Sequence, residues 1–419
     1  MENIENKIPN GENQDTQNSS FFSENVSSSN GLEPKLRFPN FIEKWTRFEA
    51  ENIFKNITDK NHPTDTVLTI QQGRGTLPRD LSGRNILYDN TNTKNYKRVQ
   101  FGDFIIHLRS FEGGLEMANE QGIVSPAYTI LRYIKPIAFG FYKAYFRTNE
   151  FINHILSKSV EGIRDGKQIS YDAFKWLAIP YCQLEEQQKI ADFLSLVDQR
   201  IEKQRQLVES LKKYKRGLFF EIFEQKRRFK DGNNKFYPKW EKKSLGTIFK
   251  ERTERAIGNE ELLSVTINSG VKKRCEVDVK DNSSDDKSKY KKLYPNDIAY
   301  NTMRMWQGAS GVSLYEGIVS PAYTVITTII PVKIGFFGYY FKYIKTIQIF
   351  QKFSQGLTSD TWNLKYPQLS EIQLLIPNIE EQEKIYETFK FLDDKILLSE
   401  NTLNLLQDIK KGLLQKMFI

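Results

Sequence analysis

The sequence repeats itself at an offset of 195 residues, and this duplication constrains the fold more than any other feature. Residues Gly122–Thr129 read GIVSPAYT, and so do residues Gly317–Thr324. The segment Leu184–Ile190 (LEEQQKI) returns as Ile379–Ile385 (IEEQEKI). The period is far longer than the roughly 20 to 50 residues of a solenoid repeat and has the size of a domain. We therefore expect two like domains and two like connectors, an arrangement suited to holding two similar objects at a fixed separation.

The composition is that of a chain able to bury two cores. It has 419 residues, of which 39% are hydrophobic and 27% charged, as in ordinary globular proteins. No apolar run approaches the roughly 18 residues that a membrane helix needs, and the N-terminus lacks the pattern of a secretory signal. The cysteines, Cys182 and Cys275, do not match under the repeat. These features predict a cytoplasmic protein without a disulfide.

The net charge of +9 leaves two interpretations open. An excess of this size fits an ordinary soluble surface, and it fits equally well a polyanionic partner such as nucleic acid. Charge alone does not separate these two possibilities.

Composition and patterning divide the chain into five segments. Residues 1–34 are rich in Asn, Ser, Gln and Glu and predict a disordered tail. Residues 35–183 and 227–378 alternate short β-rich runs with Gly, Asn and Asp turns, and each includes an aromatic stretch of helical character. We therefore predict two α+β domains, each with a curved or open sheet. Residues 184–226 and 379–419 remain as the two connectors.

Each connector carries the pattern of a long coiled-coil helix. Apolar residues recur with alternating steps of four and three over about five heptads, which predicts a seam that faces another helix. Polar residues fill the same two seam positions in both copies, Gln204 and Lys215 in the first and Ser399 and Lys410 in the second. Antiparallel pairing of the two helices would place one domain at each end with approximate two-fold symmetry, whereas parallel pairing would crowd both domains together. The antiparallel arrangement suits a DNA duplex, which has local two-fold symmetry of its own.

Motifs of catalytic chemistry are missing from the sequence. The histidines, His62, His107 and His154, lie in the first half and have no neighbours at metal-ligand spacing. There is no phosphate-binding Walker loop, dinucleotide glycine fingerprint or nucleophile elbow. The tetrapeptide that holds the target base in amino-methyltransferases is also missing. No spacing suggests a nuclease carboxylate cluster, although one sequence does not exclude it.

Several paired motifs resemble one known family, the DNA specificity subunit of type I restriction-modification systems. The resemblance covers nearly all of the chain after the tail. Its motifs occur twice and in the same order: Leu36-Arg37-Phe38-Pro39…Trp45 with Arg228-Phe229-Lys230…Trp240, then Ile179-Pro180 with Ile376-Pro377, the two EEQ-x-KI helix starts, and Arg216-Gly217-Leu218 with Lys411-Gly412-Leu413. The longer polar N-terminal tail departs from the family pattern, and no role is assigned to it.

The resemblance implies a non-catalytic DNA-binding subunit. Each α+β domain would be a target recognition domain that reads one half of a bipartite site in double-stranded DNA, and the two helices would form an antiparallel spacer. Two methyltransferase subunits would carry out adenine methylation, and restriction subunits would add ATP-dependent cleavage. The resemblance therefore implies that S-adenosylmethionine, Mg and ATP bind to the partner subunits and that this chain binds no cofactor.

Basic residues in the stretches that differ between the two halves are the predicted DNA contacts. In the first domain these are Arg74, Arg79, Arg84, Lys97, Arg98, Arg109, Arg164 and Lys167. In the second domain they are Lys272, Lys273, Arg274, Lys291, Lys292 and Arg304. Arg109 and Arg304 match at the repeat offset and precede divergent loops, which suits a shared phosphate anchor. A salt bridge inside each domain explains these two arginines equally well, and a solvated loop explains the lysine runs equally well.

The GIVSPAYT blocks are identical in both halves and therefore cannot explain a difference in recognition, so we interpret them as scaffold strands. Two other functions stay open at this point. A protein–protein adaptor with a coiled-coil spacer and no DNA role would explain the repeat and the heptads but not the basic charge. A nuclease with an unrecognised active site would cleave DNA without partners.

Overall fold

The structure is a computed structural model that describes residues 32–83, 90–162, 167–258, 260–267, 269–277, 286–358 and 361–418. The predicted tail lies outside the described residues up to residue 31, and Leu32 forms an antiparallel bridge with Trp45. The chain divides into two compact units. Unit 1 comprises Met1–Ile201 with Leu405–Ile419, and unit 2 comprises Glu202–Asn404.

Unit 1 is built from ten short strands and a few helices among its described residues. The strands are β1 (Thr46–Glu49), β2 (Phe54–Ile57), β3 (Leu68–Gln71), β4 (Gly75–Pro78), β5 (Lys97–Val99), β6 (Phe104–Ile106), β7 (Glu116–Met117), β8 (Gly122–Val124), β9 (Thr129–Tyr133) and β10 (Ala178–Tyr181). The α-helices are α1 (Ser110–Gly113), α2 (Phe139–Tyr145), α3 (Tyr171–Phe174) and the first part of α4 (Leu184–Phe223), with a π-helical turn at Glu150–Ile155.

Unit 2 repeats this order of elements. Its strands are β11 (Glu241–Ser244), β12 (Phe249–Glu251), β13 (Leu263–Thr266), β14 (Gly270–Lys273), β15 (Lys291–Leu293), β16 (Ile298–Asn301), β17 (Ser310–Val312), β18 (Gly317–Val319), β19 (Tyr323–Thr328) and β20 (Gln373–Ile376). Its helices are α5 (Ile334–Tyr340), α6 (Ile344–Phe353), α7 (Tyr366–Glu371) and the first part of α8 (Ile379–Met417).

The sheets of the two units have the same topology. Unit 1 has a four-stranded antiparallel sheet of order β2-β9-β6-β7 and the pairs β1-β10, β3-β4 and β5-β8. Unit 2 has β12-β19-β16-β17 and the pairs β11-β20, β13-β14 and β15-β18. Two copies of one mixed helix and sheet domain, each followed by a long helix, confirm the predicted fold class.

Each GIVSPAYT block begins with a buried strand and continues into an exposed turn, at Pro126-Ala127 in unit 1 and at Pro321-Ala322 in unit 2. Strands β8 and β18 are buried along their whole length. A Cβ atom added to Gly122 would lie 2.5 Å from the carbonyl oxygen of Thr66, and one added to Gly317 would lie 2.3 Å from that of Glu261. Because these distances are too short for any side chain, glycine is required where each strand approaches its neighbour.

Each domain core is completed by an aromatic residue from the end of a long helix. In unit 1, the ring of Phe418 lies 6.4 Å from Trp45 and 5.1 Å from Phe141. In unit 2, Phe223 makes the equivalent contacts with Trp240 and Phe336, at 6.3 and 6.0 Å. The end of α4 therefore packs in unit 2, and the end of α8 packs in unit 1.

The beginning of each long helix is held by a tryptophan. The indole Nε1 of Trp45 donates to Oε2 of Glu186 at 3.0 Å, and that of Trp240 donates to Oε2 of Glu381 at 3.0 Å. Both carboxylates lie in the first turn of a helix, where negative charge is favoured by the helix dipole. Burial of both glutamates shows that they also bind the domain to the helix.

The predicted helix seam is confirmed in each unit. Its most buried positions are Ile190, Leu194, Ile201, Val208, Leu218 and Ile222 on α4, and Ile385, Phe389, Leu392, Ile396 and Met417 on α8. Within unit 1, Nζ of Lys410 lies 2.5 Å from Oδ1 of Asp198. Within unit 2, Lys215 pairs with Asp393. These two residues are the repeat equivalents of Lys410 and Asp198. A parallel pair in register would instead place Lys215 beside Lys410, so these contacts require antiparallel packing.

Candidate nucleic-acid interface

The two matching arginines lie at equivalent exposed positions. Arg109 follows strand β6 and caps helix α1, and its side chain is 74% exposed, with Nε 3.5 Å from Oε2 of Glu112. Arg304 follows β16, is exposed, and donates from Nη1 to Oε1 of Gln307 at 3.3 Å. In both units the arginine contacts the side chain three residues later. An exposed pair of this kind contributes little to stability, so both guanidinium groups remain accessible to a ligand.

The segment that begins at Arg109 in unit 1, or at Arg304 in unit 2, is called the arginine loop. In each unit a second loop, which contains Lys167 or Trp362, lies against it. In unit 1, Nζ of Lys167 lies 5.7 Å from the ring centroid of Phe111. In unit 2, the equivalent positions are Trp362 and Trp306, whose rings contact each other at 5.2 Å in an edge-to-face geometry. Equivalent positions thus join the two loops in both units. The contact is between a cation and an aromatic ring in unit 1 and between two indoles in unit 2. Predicted residue Arg164 falls outside the described residues.

The third component is the hairpin formed by β3 and β4, or by β13 and β14. Arg74 lies exposed in the turn of the first hairpin. Lys272 and Lys273 lie half-buried on β14, and Lys273 is 3.4 Å from Oε2 of Glu261. Arg79 and Arg274 begin equivalent 3-10 turns directly after β4 and β14, and each is half-buried. Predicted residue Arg84 falls outside the described residues.

The hairpin meets the arginine loop in both units. In unit 1, a Cβ atom added to Gly113 would lie 1.9 Å from the side-chain nitrogen of Gln72, so the two chain segments are in direct contact. In unit 2, Nζ of Lys342 donates to the carbonyl oxygen of Ile267 at 2.7 Å and to that of Gly308. Ile267 and Gly308 are the repeat equivalents of Gln72 and Gly113. Each domain therefore assembles one surface from the hairpin, the arginine loop and the loop of Lys167 or Trp362.

Four of the predicted contacts are bound to groups of their own domain. Lys291 is 13% exposed and lies 3.2 Å from Glu251, and Lys292 is 16% exposed and lies 3.4 Å from Glu260. Nε of Arg98 lies 2.9 Å from Oδ2 of Asp65. Nζ of Lys97 donates to the carbonyl oxygen of Tyr128 at 2.6 Å, and burial, aided by the charge of Lys60, lowers the pKa of Lys97. The predicted contacts that are exposed among the described residues are Arg74, Arg109, Lys167 and Arg304.

Buried ion pairs fix the strands that carry the arginine loops. Asp103, immediately before β6, accepts from Nε of Arg132 on β9 at 2.8 Å. The corresponding Asp297, before β16, accepts from Nε of Arg252 at 2.7 Å. Arg132 lies on β9, whereas Arg252 directly follows β12, so the aspartates correspond but the arginines do not. Each aspartate raises the pKa of its arginine through a hydrogen bond. The loop that follows each strand therefore starts from a rigid base.

The described residues also bear on metal binding, membrane insertion and cysteine chemistry. No described group of three or more His, Cys, Asp and Glu residues is placed to hold a metal ion. In the described part of the chain, no helix is long and apolar enough to cross a membrane. Cys182 is buried and Cys275 is exposed, and both thiols are free.

Comparison with known proteins identifies similar domains and folds. Residues 48–213 and residues 237–408 each match the family described as "Type I restriction modification DNA specificity domain". No curated protein sequence matches the chain significantly.

Three solved structures share the fold. The S subunit of a type I restriction-modification system from M. genitalium has 17% identity and a TM-score of 0.53, over 93% of this chain and 99% of that chain. The HsdS subunit from Thermoanaerobacter tengcongensis has 14% identity and a TM-score of 0.50, over 89% and 96%. A chain from work on complex assembly and conformational transition of the type I R-M system has 15% identity and a TM-score of 0.51, over 89% and 97%.

Proposed function

This chain belongs to the type I restriction-modification DNA specificity family, and from that premise we propose that it reads a bipartite, asymmetric site in double-stranded DNA. Each domain binds one half-site through the surface formed by its hairpin and its two adjoining loops. The subunit directs two methyltransferase subunits to methylate adenine at N6, and restriction subunits to cleave DNA with ATP.

The observation that carries this proposal is that equivalent loops of the two domains present different side chains on the same framework. Arg109 and Arg304 occupy one shared position, which suits a common phosphate contact. Around them Lys167 corresponds to Trp362, and Phe111 corresponds to Trp306. Because the framework is alike and the side chains at these equivalent positions differ, the two half-sites are expected to differ in sequence.

The paired helices support the roles of spacer and of binding surface for partner subunits. Their outer faces expose large apolar side chains, which in a protein without partners would contact water. In unit 1 these include Leu196, Leu405 and Ile409, and in unit 2 they include Leu207, Tyr214, Phe220, Phe391, Leu397 and Leu398. Exposed apolar residues grouped on one element are typical of binding surfaces. We expect the methyltransferase subunits to cover these faces.

The chain is proposed to act without catalysis of its own. Its contribution is to position the partner subunits relative to the target adenines, so S-adenosylmethionine, Mg and ATP are assigned to those partners. A purified chain that cleaved DNA with a metal ion and no partner would contradict this assignment.

The decisive experiment is a map of adenine methylation in the host genome with the gene intact and deleted. We expect one bipartite motif with a fixed unspecified gap to lose methylation on deletion, which would identify both half-sites together. If the two maps are identical while the partner methyltransferase is expressed, the proposed function fails. The protein–protein adaptor would then be the better explanation.

A further inference from the structure

At one repeat position, each domain has a basic residue that helps to hold the hairpin beside the arginine loop. The residue and its bonds differ between the two domains. The position is Arg147 in unit 1 and Lys342 in unit 2, and both residues follow a short helix, α2 or α5. Both side chains extend toward the place where the hairpin meets the arginine loop. Neither residue was among the predicted DNA contacts.

In unit 2, Lys342 joins the two segments directly. Its ammonium group donates to the carbonyl oxygen of Ile267 in the hairpin turn, at 2.7 Å, and to that of Gly308 at the end of the arginine loop. It has no carboxylate partner among the described residues. The backbones behind it are in close contact, since a Cβ atom on Gly311 would lie 2.6 Å from Cα of Gly270. The hairpin therefore cannot shift without breaking the bonds of Lys342.

In unit 1, the same junction uses a buried carboxylate. Glu116 is fully buried and accepts from the backbone nitrogens of Gly73 at 2.7 Å and Gly75 at 2.9 Å. The guanidinium of Arg147 binds the same carboxylate. The repeat equivalent of Glu116 is Gly311, so unit 2 has no carboxylate at this place. The amine of Lys342 takes over the function of the Glu116–Arg147 pair.

We propose that Lys342 and the Glu116–Arg147 pair are positioning residues, each coupling the hairpin to the arginine loop of its own domain and so determining the specificity of one half-site. This inference rests on the proposed function. Glu116 is fully buried, and Arg147 and Lys342 are half-buried with their charged ends bound inside the domain, so each group acts through the loops that it holds. A loop held in one position discriminates between bases because a wrong base then leaves its hydrogen-bonding groups unpaired. A loop that is free to move tolerates the wrong base.

The test uses the chain assembled with its methyltransferase subunits and three DNA duplexes. One duplex carries the full site, one carries a single base-pair change in the first half-site, and one carries a change in the second. The ratio of methylation rates on the full and altered duplexes gives the discrimination at each half-site. The variants are K342M, which keeps the length of the side chain, and E116Q, whose amide cannot accept from both glycine nitrogens. Controls are K345M, three residues away and bound to Glu224, and E120Q at an exposed position.

We expect K342M to lower discrimination at one half-site by about tenfold and E116Q to lower it at the other by a similar factor, because one mismatched base pair commonly changes affinity by about that factor. Both controls should match the wild type. K342R should restore discrimination, because a guanidinium donates to the same two carbonyl oxygens. The proposal is overturned if either variant affects both half-sites equally or neither, or if K342R behaves like K342M. Failure of the proposed function is distinct, since the wild-type complex would then methylate none of the duplexes.

Discussion

Trp45 and Glu186 are 141 residues apart in sequence, yet the indole Nε1 of Trp45 donates to the carboxylate of Glu186 at 3.0 Å. Trp240 and Glu381 are joined by the same bond at the same distance and the same separation in sequence. The environments differ, however. Glu186 also accepts two bonds from Arg37, at 2.7 and 2.8 Å. The arginine beside Glu381 is Arg228, which is more distant at 3.8 Å, and burial raises the pKa of Glu381.

This difference predicts unequal effects of neutralising the two glutamates. E186Q leaves the charge of Arg37 buried without its partner and should cost about 3 to 5 kcal/mol of local stability. E381Q should cost about 1 kcal/mol or less, because burial already disfavours the charged form and the amide oxygen still accepts from Trp240. Hydrogen exchange over the first turns of α4 and α8 measures each effect separately. Exposed first-turn variants E185Q and E380Q serve as controls, and equal losses for E186Q and E381Q would contradict the argument.

The pH dependence of Glu381 has a definite sign. Because its folded-state pKa is raised above the ordinary value, the folded protein favours the protonated form. Its contribution to stability is therefore full at low pH and is lost as the pH rises through the raised pKa. In E381Q, the protection of α8 from hydrogen exchange should no longer show this dependence on pH. The protection of α4 should depend on pH as in the wild type.

Much of the fold could be predicted from the repeat, whereas the contacts that shape the DNA-facing surface could not. The repeat located the framework strands, the long helices and the shared position of Arg109 and Arg304. The tryptophan–glutamate bonds were missed, although one signal for them was present. Each tryptophan and each glutamate returns at the same offset, which is expected for residues that contact one another in both copies.

The contacts of Glu116 in unit 1 and of Lys342 in unit 2 left no signal of that kind in the sequence. Glu116 corresponds to a glycine and Arg147 to a lysine, so the duplication hides their common function. Hydrogen bonds to backbone groups 41 or 75 residues away follow no helical or strand period. The four basic residues that proved to be bound to groups of their own domain show the same limitation. A lysine run reads identically in the sequence whether its charges face solvent or a carboxylate of the same domain.

The exposed arginines are predicted to contact phosphates. R109A and R304A should each weaken DNA binding by the assembled complex across all sequences. Each should also lower the slope of log affinity against log salt concentration by about 0.9 for the phosphate contact that is lost. K291A is the matched control, because Lys291 is buried against Glu251 and should change stability rather than the salt slope. An unchanged slope in both arginine variants would remove them from the interface.

The lowered pKa of Lys342 predicts that discrimination between the full and altered duplexes depends on pH at one half-site only. Burial lowers its pKa to about 8, and the other charged groups lining its cleft are Lys215, Arg216, Lys333, Lys390 and Asp393. Below this pH the charged amine makes the stronger bonds to the carbonyl oxygens of Ile267 and Gly308. Discrimination at its half-site should therefore fall as the pH rises from 7 to 9, while discrimination at the other half-site stays constant.

The stability of unit 2 should change in the opposite direction. Because the folded pKa of Lys342 is lower than its ordinary value of 10.5, the cost of burying the charge is full below pH 8 and is relieved as the pH rises toward 10.5. K342R stays charged throughout, so it should show neither the fall in discrimination nor the gain in stability. A fall that persists in K342R would assign the pH effect to another group.

Gly217 and Gly412 occupy equivalent positions within α4 and α8, where glycine destabilises a helix by about 1 kcal/mol relative to alanine. Nothing lies within 4 Å of a Cβ atom added at either position, so no contact within the described chain requires glycine there. G217A and G412A should therefore each raise the stability of the isolated chain by about 1 kcal/mol.

If the methyltransferase subunits approach the helix backbone at these glycines, the same variants should weaken assembly, measured as the affinity for the partner subunit. G122A is the contrasting variant, because its Cβ would clash with Thr66 and destabilise the domain itself. Stabilisation without any loss of assembly would show that the partner binds elsewhere on the helices.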